Sequence, residues 1–132
     1  MRSLLGRVEK IMRITTILFV AAATIASPVH AEVSLECEAA LNTLSVSQDE
    51  GSGYIRELAQ LRSATTGTPS STTRSLAEIL GREINKGVRV QEQQIEKMRA
   101  EGCIKDSTAD SYLKELRETM DATQSLVRTF MN

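Results

Sequence analysis

The chain has 132 residues, with one histidine, two cysteines and no tryptophan, and its formal net charge at neutral pH is −1. A chain of this length makes one domain with a modest core. Its basic residues are not clustered into a patch that would neutralise nucleic-acid phosphates, so no nucleic-acid partner is expected.

The N-terminal segment has the features of a signal peptide. Four basic residues precede an apolar run over 14–26, and Val29 and Ala31 occupy the positions that a signal peptidase reads. We therefore predict that residues 1–31 are removed, with Met12 as an alternative translation start. The apolar run of 13 residues is shorter than the roughly 20 residues that span a bilayer, so cleavage without stable membrane insertion is favoured over an anchor.

Cleavage of the leader changes the net charge of the chain, and export changes its compartment. The leader carries four of the 16 basic and one of the 17 acidic residues, so 12 and 16 remain and the net charge becomes about −4. We expect the mature protein to be periplasmic or otherwise secreted. Because thiols oxidise there, Cys37 and Cys103 are predicted to form one intramolecular disulfide. An intermolecular bridge or reactive thiols are the alternatives.

The first predicted helix covers residues 33–64. Its apolar residues recur at helical spacing on one face, and the spacing continues through Gly51, Ser52 and Gly53. We predict one uninterrupted helix, with a break or kink at these residues as the alternative, because each interior glycine costs up to about 1 kcal/mol. The predicted buried face consists of Cys37, Leu41, Leu44, Gln48, Gly51, Ile55 and Leu58.

A loop and a second helix follow. Residues 65–73 are rich in hydroxyl residues and contain a glycine and a proline, which predicts an exposed loop. The second predicted helix spans residues 74–102. Ser75 and Glu78 have the spacing of a capping box at its start, and Gly102 suits a left-handed cap at its end. The predicted buried face consists of Leu76, Leu80, Ile84, Gly87, Gln91, Ile95 and Met98.

The third predicted helix covers residues 106–131. Asp106 or Ser107, followed by Asp110, supplies the capping signal at its start. Its predicted buried face, with residues spaced alternately four and three apart, consists of Ala109, Leu113, Leu116, Met120, Thr123, Val127 and Phe130.

These elements predict an all-α protein built as an antiparallel three-helix bundle in one domain, residues 32–132. The first two helices form a long hairpin with Cys37 opposite Cys103 at the end away from the loop, and the third helix covers the open seam. This arrangement brings Gln48, Gly87 and Gln91 to about the same level. They predict either a polar pocket at mid-bundle or a hydrogen-bonded glutamine pair that sets the register, and we favour the second interpretation.

Motifs for catalysis are missing from the predicted mature chain. The only histidine, His30, lies in the leader, which leaves no imidazole for metal binding or for acid-base chemistry near neutral pH. Ser111 and Lys114 have S-x-x-K spacing, but the motifs that accompany it in penicillin-recognising enzymes are not in the sequence. We predict that the protein is not an enzyme and uses no cofactor or metal.

The function predicted by elimination is the binding of another protein, as an inhibitor or immunity protein or as an envelope adaptor. The alternatives are a periplasmic chaperone-like protein and a self-assembling homo-oligomer. An inhibitor would insert either part of the first helix or the tip of the loop. The candidate partner-binding residues are Gly51, Ser52, Gly53, Tyr54, Thr68 and Pro69.

The exposure of apolar residues beside the predicted buried faces would distinguish these functions. An adaptor or a chaperone requires apolar side chains at the surface. The sequence offers Tyr54, Leu126 and Met131 as candidates for such exposure. For a homodimer, the expected interface residues are Tyr112 and Leu126.

Overall fold

The computed structural model of the protein describes residues 34–132 and contains three helices: α1 (Leu35–Ala64), α2 (Ser71–Ala100) and α3 (Asp106–Met131). No strand occurs in this range. Helix α2 packs against both α1 and α3. The predicted all-α bundle, a long hairpin with a third covering helix, is confirmed. The predicted signal peptide lies outside the described residues.

Helix α1 begins at a side-chain cap. The Ser34 hydroxyl accepts a hydrogen bond of 3.1 Å from the Cys37 backbone N–H, and Glu36 and Glu38 lie in the first turn. Carboxylates at this position interact favourably with the positive end of the helix dipole and stabilise the helix. The helix then continues without a break through the segment from Gly51 to Gly53, so the prediction of one uninterrupted helix is confirmed.

Helix α2 begins earlier than the capping box at Ser75 predicts. Its N-cap is Ser70, whose hydroxyl oxygen accepts a hydrogen bond of 3.1 Å from the Thr73 backbone N–H. The predicted capping box at Ser75 and Glu78 is wrong because both residues already lie inside the helix. The loop is correspondingly shorter, and Pro69 is buried within it.

The end of α2 places Cys103 for the disulfide. Gly102 has φ of +75°, as the predicted left-handed cap requires. The backbone N–H of Cys103 donates to the Met98 carbonyl at 2.8 Å, and that of Gly102 donates to the Arg99 carbonyl at 3.1 Å. These two hydrogen bonds form a Schellman motif, which turns the chain back at the helix end. Cys103 is disulfide-bonded to Cys37, with Cα atoms 6.0 Å apart, so the predicted link is confirmed.

Helix α3 begins at Asp106, but without the predicted cap. Its N-cap is Lys105, which makes no side-chain capping hydrogen bond. Asp110 interacts with α2 instead: its carboxylate accepts a hydrogen bond of 2.7 Å from the Arg99 guanidinium. The Asp106 carboxylate lies 3.9 Å from the same guanidinium. The acidic residues at this helix start therefore pair with the end of α2 rather than with their own backbone.

The buried face of α2 is rotated from the predicted one. Leu76 is exposed, whereas its neighbour Ala77 is fully buried. The rotation arises because α2 contacts helices on two sides, and periodicity alone averages over those two directions. The buried residues of α2 are Ala77, Leu80, Gly81, Ile84, Val88, Gln91, Ile95 and Met98.

Helix α3 is also rotated. Tyr112 and Leu126 retain only 4% and 1% of their exposure, so the predictions of an exposed Leu126 and of a dimer interface through these two residues are wrong. Close approach of α3 to α2 explains their burial. A Cβ atom added to Gly81 would lie 2.8 Å from Val127 Cγ2, so glycine permits this contact. The predicted seam residues Leu113, Met120 and Val127 are only partly buried against the core.

Within residues 34–132, none of the three helices has the length and apolar character that crossing a membrane requires.

Candidate functional site: an open groove between α1 and α2

A groove of about 520 Å³ runs between α1 and α2, bordered by residues from Asn42 to Tyr54 on α1 and from Glu83 to Val90 on α2. No residue of α3 borders it. At its floor the Ser47 hydroxyl donates a 3.1 Å hydrogen bond to the Gly87 carbonyl. This bond and the small residues around it hold the two helices close together. The groove is therefore already formed in the free protein.

The exposed apolar side chains lie on the same side of the hairpin as the groove. Within residues 34–132, the large apolar residues that remain exposed are Leu35 (83%), Val46 (57%), Leu76 (43%) and Ile79 (47%). Leu35 precedes the groove residue Val46 by eleven positions, about three helical turns, so both lie on one face of α1. Leu76 and Ile79 precede Glu83 and Lys86 by seven positions, about two turns of α2. We call this side of the hairpin the outer face.

The sequence predicted none of these four residues to be exposed, and it placed Leu76 on the buried face of α2. Tyr54, which it did select, borders the groove but is half-buried. The sequence signal that would have found the others is their helical spacing at a second phase, beside the main seams of the two helices. Only the position of α3 shows which of the two sides of the hairpin remains uncovered.

Charged side chains flank the apolar residues of the groove. Glu50 borders it on α1, and Glu83 and Lys86 border it on α2. Lys86 Nζ lies 3.8 Å from Glu83 Oε1, and both side chains are accessible. Exposed pairs of this kind contribute little to stability. They are therefore free to interact with charges on a bound protein.

The other predicted partner-binding residues are divided between several environments. Gly51 borders both the groove and a small cavity inside the bundle, and Ser52 borders that cavity. Gly53 has open space around its α-carbon. Of the loop residues, Thr68 is exposed but Pro69 is buried. Thr66 and Gly67 are exposed as well, so the loop tip is accessible and Pro69 is its one buried residue.

The predicted mid-bundle polar layer is present without the expected glutamine pair. Gln48 and Gln91 are buried and border the same cavity of about 20 Å³. Neither amide atom of Gln48 has a hydrogen-bond partner in the described part of the chain, so the hydrogen-bonded pair that we favoured is wrong. The cavity holds about one water molecule, far less than the few hundred Å³ of a small-molecule site.

A second groove of about 390 Å³ lies between α2 and α3. Its border includes the charged and amide residues Glu78, Arg82, Asn85 and Arg128, although most of the surface that lines it is apolar. Val127 is its main apolar residue. None of the large apolar residues that are exposed in the described part of the chain borders this second groove, so the outer face is the stronger candidate.

Two ionisable groups of α3, the buried Tyr112 and the partly exposed Glu115, have shifted pKa values. Burial raises the pKa of Tyr112 to about 12, and the nearby Glu115 carboxylate adds to the increase. Burial also raises the pKa of Glu115, with a further contribution from Glu118. Neither Tyr112 nor Glu115 borders any of the three cavities described above.

No cluster of three or more His, Cys, Asp or Glu residues with metal-binding geometry occurs between residues 34 and 132. Both cysteines belong to the disulfide. A disulfide of this kind is typical of proteins in oxidising compartments.

Comparison with protein-family models, curated proteins and solved structures gave no match for this chain. Functional inference therefore depends on the geometry of the outer face.

Proposed function

We propose that this protein is an exported, non-enzymatic adaptor that binds another protein through its outer face in the periplasm or an equivalent extracytoplasmic space. The observation that carries the proposal is the position of the four exposed large apolar side chains, all on the side of the hairpin that α3 leaves open. Apolar surface gathered in this way is characteristic of interaction sites.

The compartment in this proposal is supported by two independent features. The first 31 residues have the pattern of a cleaved leader. The Cys37–Cys103 disulfide suits an oxidising environment and joins the ends of α1 and α2. It thereby also limits how far the two helices that form the groove can separate.

An adaptor agrees better with the surface than an inhibitor does. The exposed large apolar side chains of the described residues lie on the outer face, and none of them lies in the loop that an inhibitor would insert. The groove instead suits an amphipathic helix of a partner, whose apolar side would cover Val46 and Val90. Binding of a helix in a preformed groove is a common mode of protein recognition.

Site-specific photo-crosslinking in cells that export the full chain tests the proposal. A photoreactive amino acid replaces Val46 in the groove, and in a matched control it replaces Lys114, which is exposed on α3. We expect one discrete crosslinked product containing another protein from position 46 and none from position 114. Helicity equal to that of the wild type would show that both variants fold.

The other outcomes distinguish the alternatives. Many weak products from position 46 would indicate a chaperone-like protein. Equal products from both positions, or none from position 46, would contradict a specific role for the outer face.

A further inference from the structure

One row of side chains along the outer face of α2 has a two-fold pattern. The row consists of Leu76, Ile79, Glu83, Lys86, Val90 and Gln93, at spacings of three and four residues. We call it the α2 row. Such spacing keeps the side chains on one helix face and is the spacing of a helix-pairing seam. It extends for about 26 Å along the helix.

The α2 row is complementary to its own reverse. When two copies of α2 run antiparallel with the two-fold axis between residues 84 and 85, Ile79 of one copy faces Val90 of the other. Glu83 then faces Lys86, and Leu76 faces Gln93. Ile79 and Val90 therefore form two apolar contacts and opposite charges meet twice at the centre, while the apolar-polar pairs of Leu76 with Gln93 lie at the two ends. Closed two-fold dimers require this kind of self-complementary surface.

The exposure of these residues fits such a contact. Leu76 and Ile79 are exposed by 43% and 47%, and the ends of the Glu83 and Lys86 side chains are accessible. Val90 is half-buried at the edge of the groove. The core of the monomer does not need the exposed parts of these side chains, so a second chain can cover them without rearrangement.

We infer that the outer face binds a second copy of this chain, with the two α2 helices antiparallel and Glu83 of each copy paired with Lys86 of the other. The inference rests on the proposed function, because it uses the same surface and specifies one of its occupants. A symmetric homodimer explains the two-fold arrangement of charge and apolar character, which an unrelated partner would not require. The central charge pairs select the antiparallel register, since a parallel pairing places like charges together.

Cysteine crosslinking tests the register. Ile79→Cys and Val90→Cys variants are exported as full chains, purified, and oxidised separately and after mixing. We expect disulfide-linked dimers from the mixture only. In either variant alone the two new cysteines lie about 16 Å apart along the helices, too far for a disulfide. Lys114→Cys is the control, and peptide mapping verifies that Cys37 and Cys103 remain linked to each other.

Charge exchange tests the central pairs. We expect the wild type to sediment at twice the chain mass and Glu83→Lys or Lys86→Glu to weaken the association at least about tenfold, since each variant opposes like charges. The double variant E83K/K86E should restore the dimer, because the opposite charges face each other again. Circular dichroism of each variant separates a loss of association from a loss of folding.

Two results would overturn the inference. One is a monomeric wild type at the highest soluble concentration, and the other is efficient crosslinking of Ile79→Cys with itself, which indicates parallel helices. Neither result would remove a crosslink from position 46 to another protein. Failure of the homodimer and failure of the proposed adaptor function are therefore distinguishable.

Discussion

Tyr112 shows how one side chain departs from the sequence pattern. Its position beside the predicted seam of α3 suggested an exposed residue, yet it is buried and its hydroxyl has no hydrogen-bond partner in the described part of the chain. A buried hydroxyl without a partner loses its hydration and gains nothing in return. The ring of Tyr112 therefore stabilises the core, whereas its hydroxyl opposes folding.

Replacing Tyr112 with phenylalanine should stabilise the protein. We expect Y112F to increase the free energy of unfolding by about 1 kcal/mol at pH 7, because it removes the unpaired hydroxyl and retains the ring. Denaturation by urea, followed by circular dichroism, measures the difference. A loss of stability would show that the hydroxyl has a partner in solution.

The same residue should produce a pH dependence at high pH. Burial raises the pKa of Tyr112 from 10.0 to about 12, so the folded protein holds the phenolic proton more tightly than the unfolded chain does. The stability from this proton is complete below pH 10 and is lost as the pH rises towards 12. The difference in stability between Y112F and the wild type should therefore increase over this interval. A constant difference would contradict the pKa shift.

At the scale of the helices, the local sequence signals predicted helix ends better than helix starts. Gly102 identified the end of α2, because the left-handed backbone conformation that ends a helix strongly favours glycine. The starts of α2 and α3 were harder, since several serine, threonine and aspartate residues compete for the cap. Asp110 shows the reason: its carboxylate pairs with Arg99 of the neighbouring helix. That interaction depends on tertiary packing, which a local capping pattern does not contain.

The two candidate caps of α2 can be compared directly. We expect Ser70→Ala to decrease the free energy of unfolding by about 1 kcal/mol, because it removes the acceptor of the Thr73 N–H. The matched control Ser75→Ala lies inside the helix and should be neutral or slightly stabilising, since alanine is the better helix former. Urea denaturation of both variants measures the two effects. A larger loss for Ser75→Ala would place the helix start near residue 74 instead.

At the scale of the whole molecule, the disulfide closes the end of the hairpin opposite the loop. Cys37 and Cys103 are separated by 66 positions in the sequence. Linking residues so far apart restricts the unfolded chain strongly. A domain of this size buries a smaller fraction of its surface than a large protein does, so the link is an important part of its stability.

Removing the disulfide should therefore destabilise the bundle considerably. For the variant C37S/C103S we expect a decrease of about 4 kcal/mol in the free energy of unfolding, from the loop-closure entropy that the unfolded chain regains. Urea denaturation measures the loss, and the reduced wild-type protein provides the control. An unchanged stability would show that the unfolded chain remains compact without the link.

The sequence by itself determined the helical class, the disulfide partners and the continuity of α1 through its glycines. These properties depend on local periodicity, on the number of cysteines and on matched helix lengths. Only the tertiary structure decided the rotation of α2 and α3, the burial of Tyr112 and Leu126, and the identity of the outer face. The physical reason is that a helix in contact with two neighbours buries a broad arc of its surface. The position of the third helix determines where that arc lies, and therefore which side of the hairpin remains exposed to water.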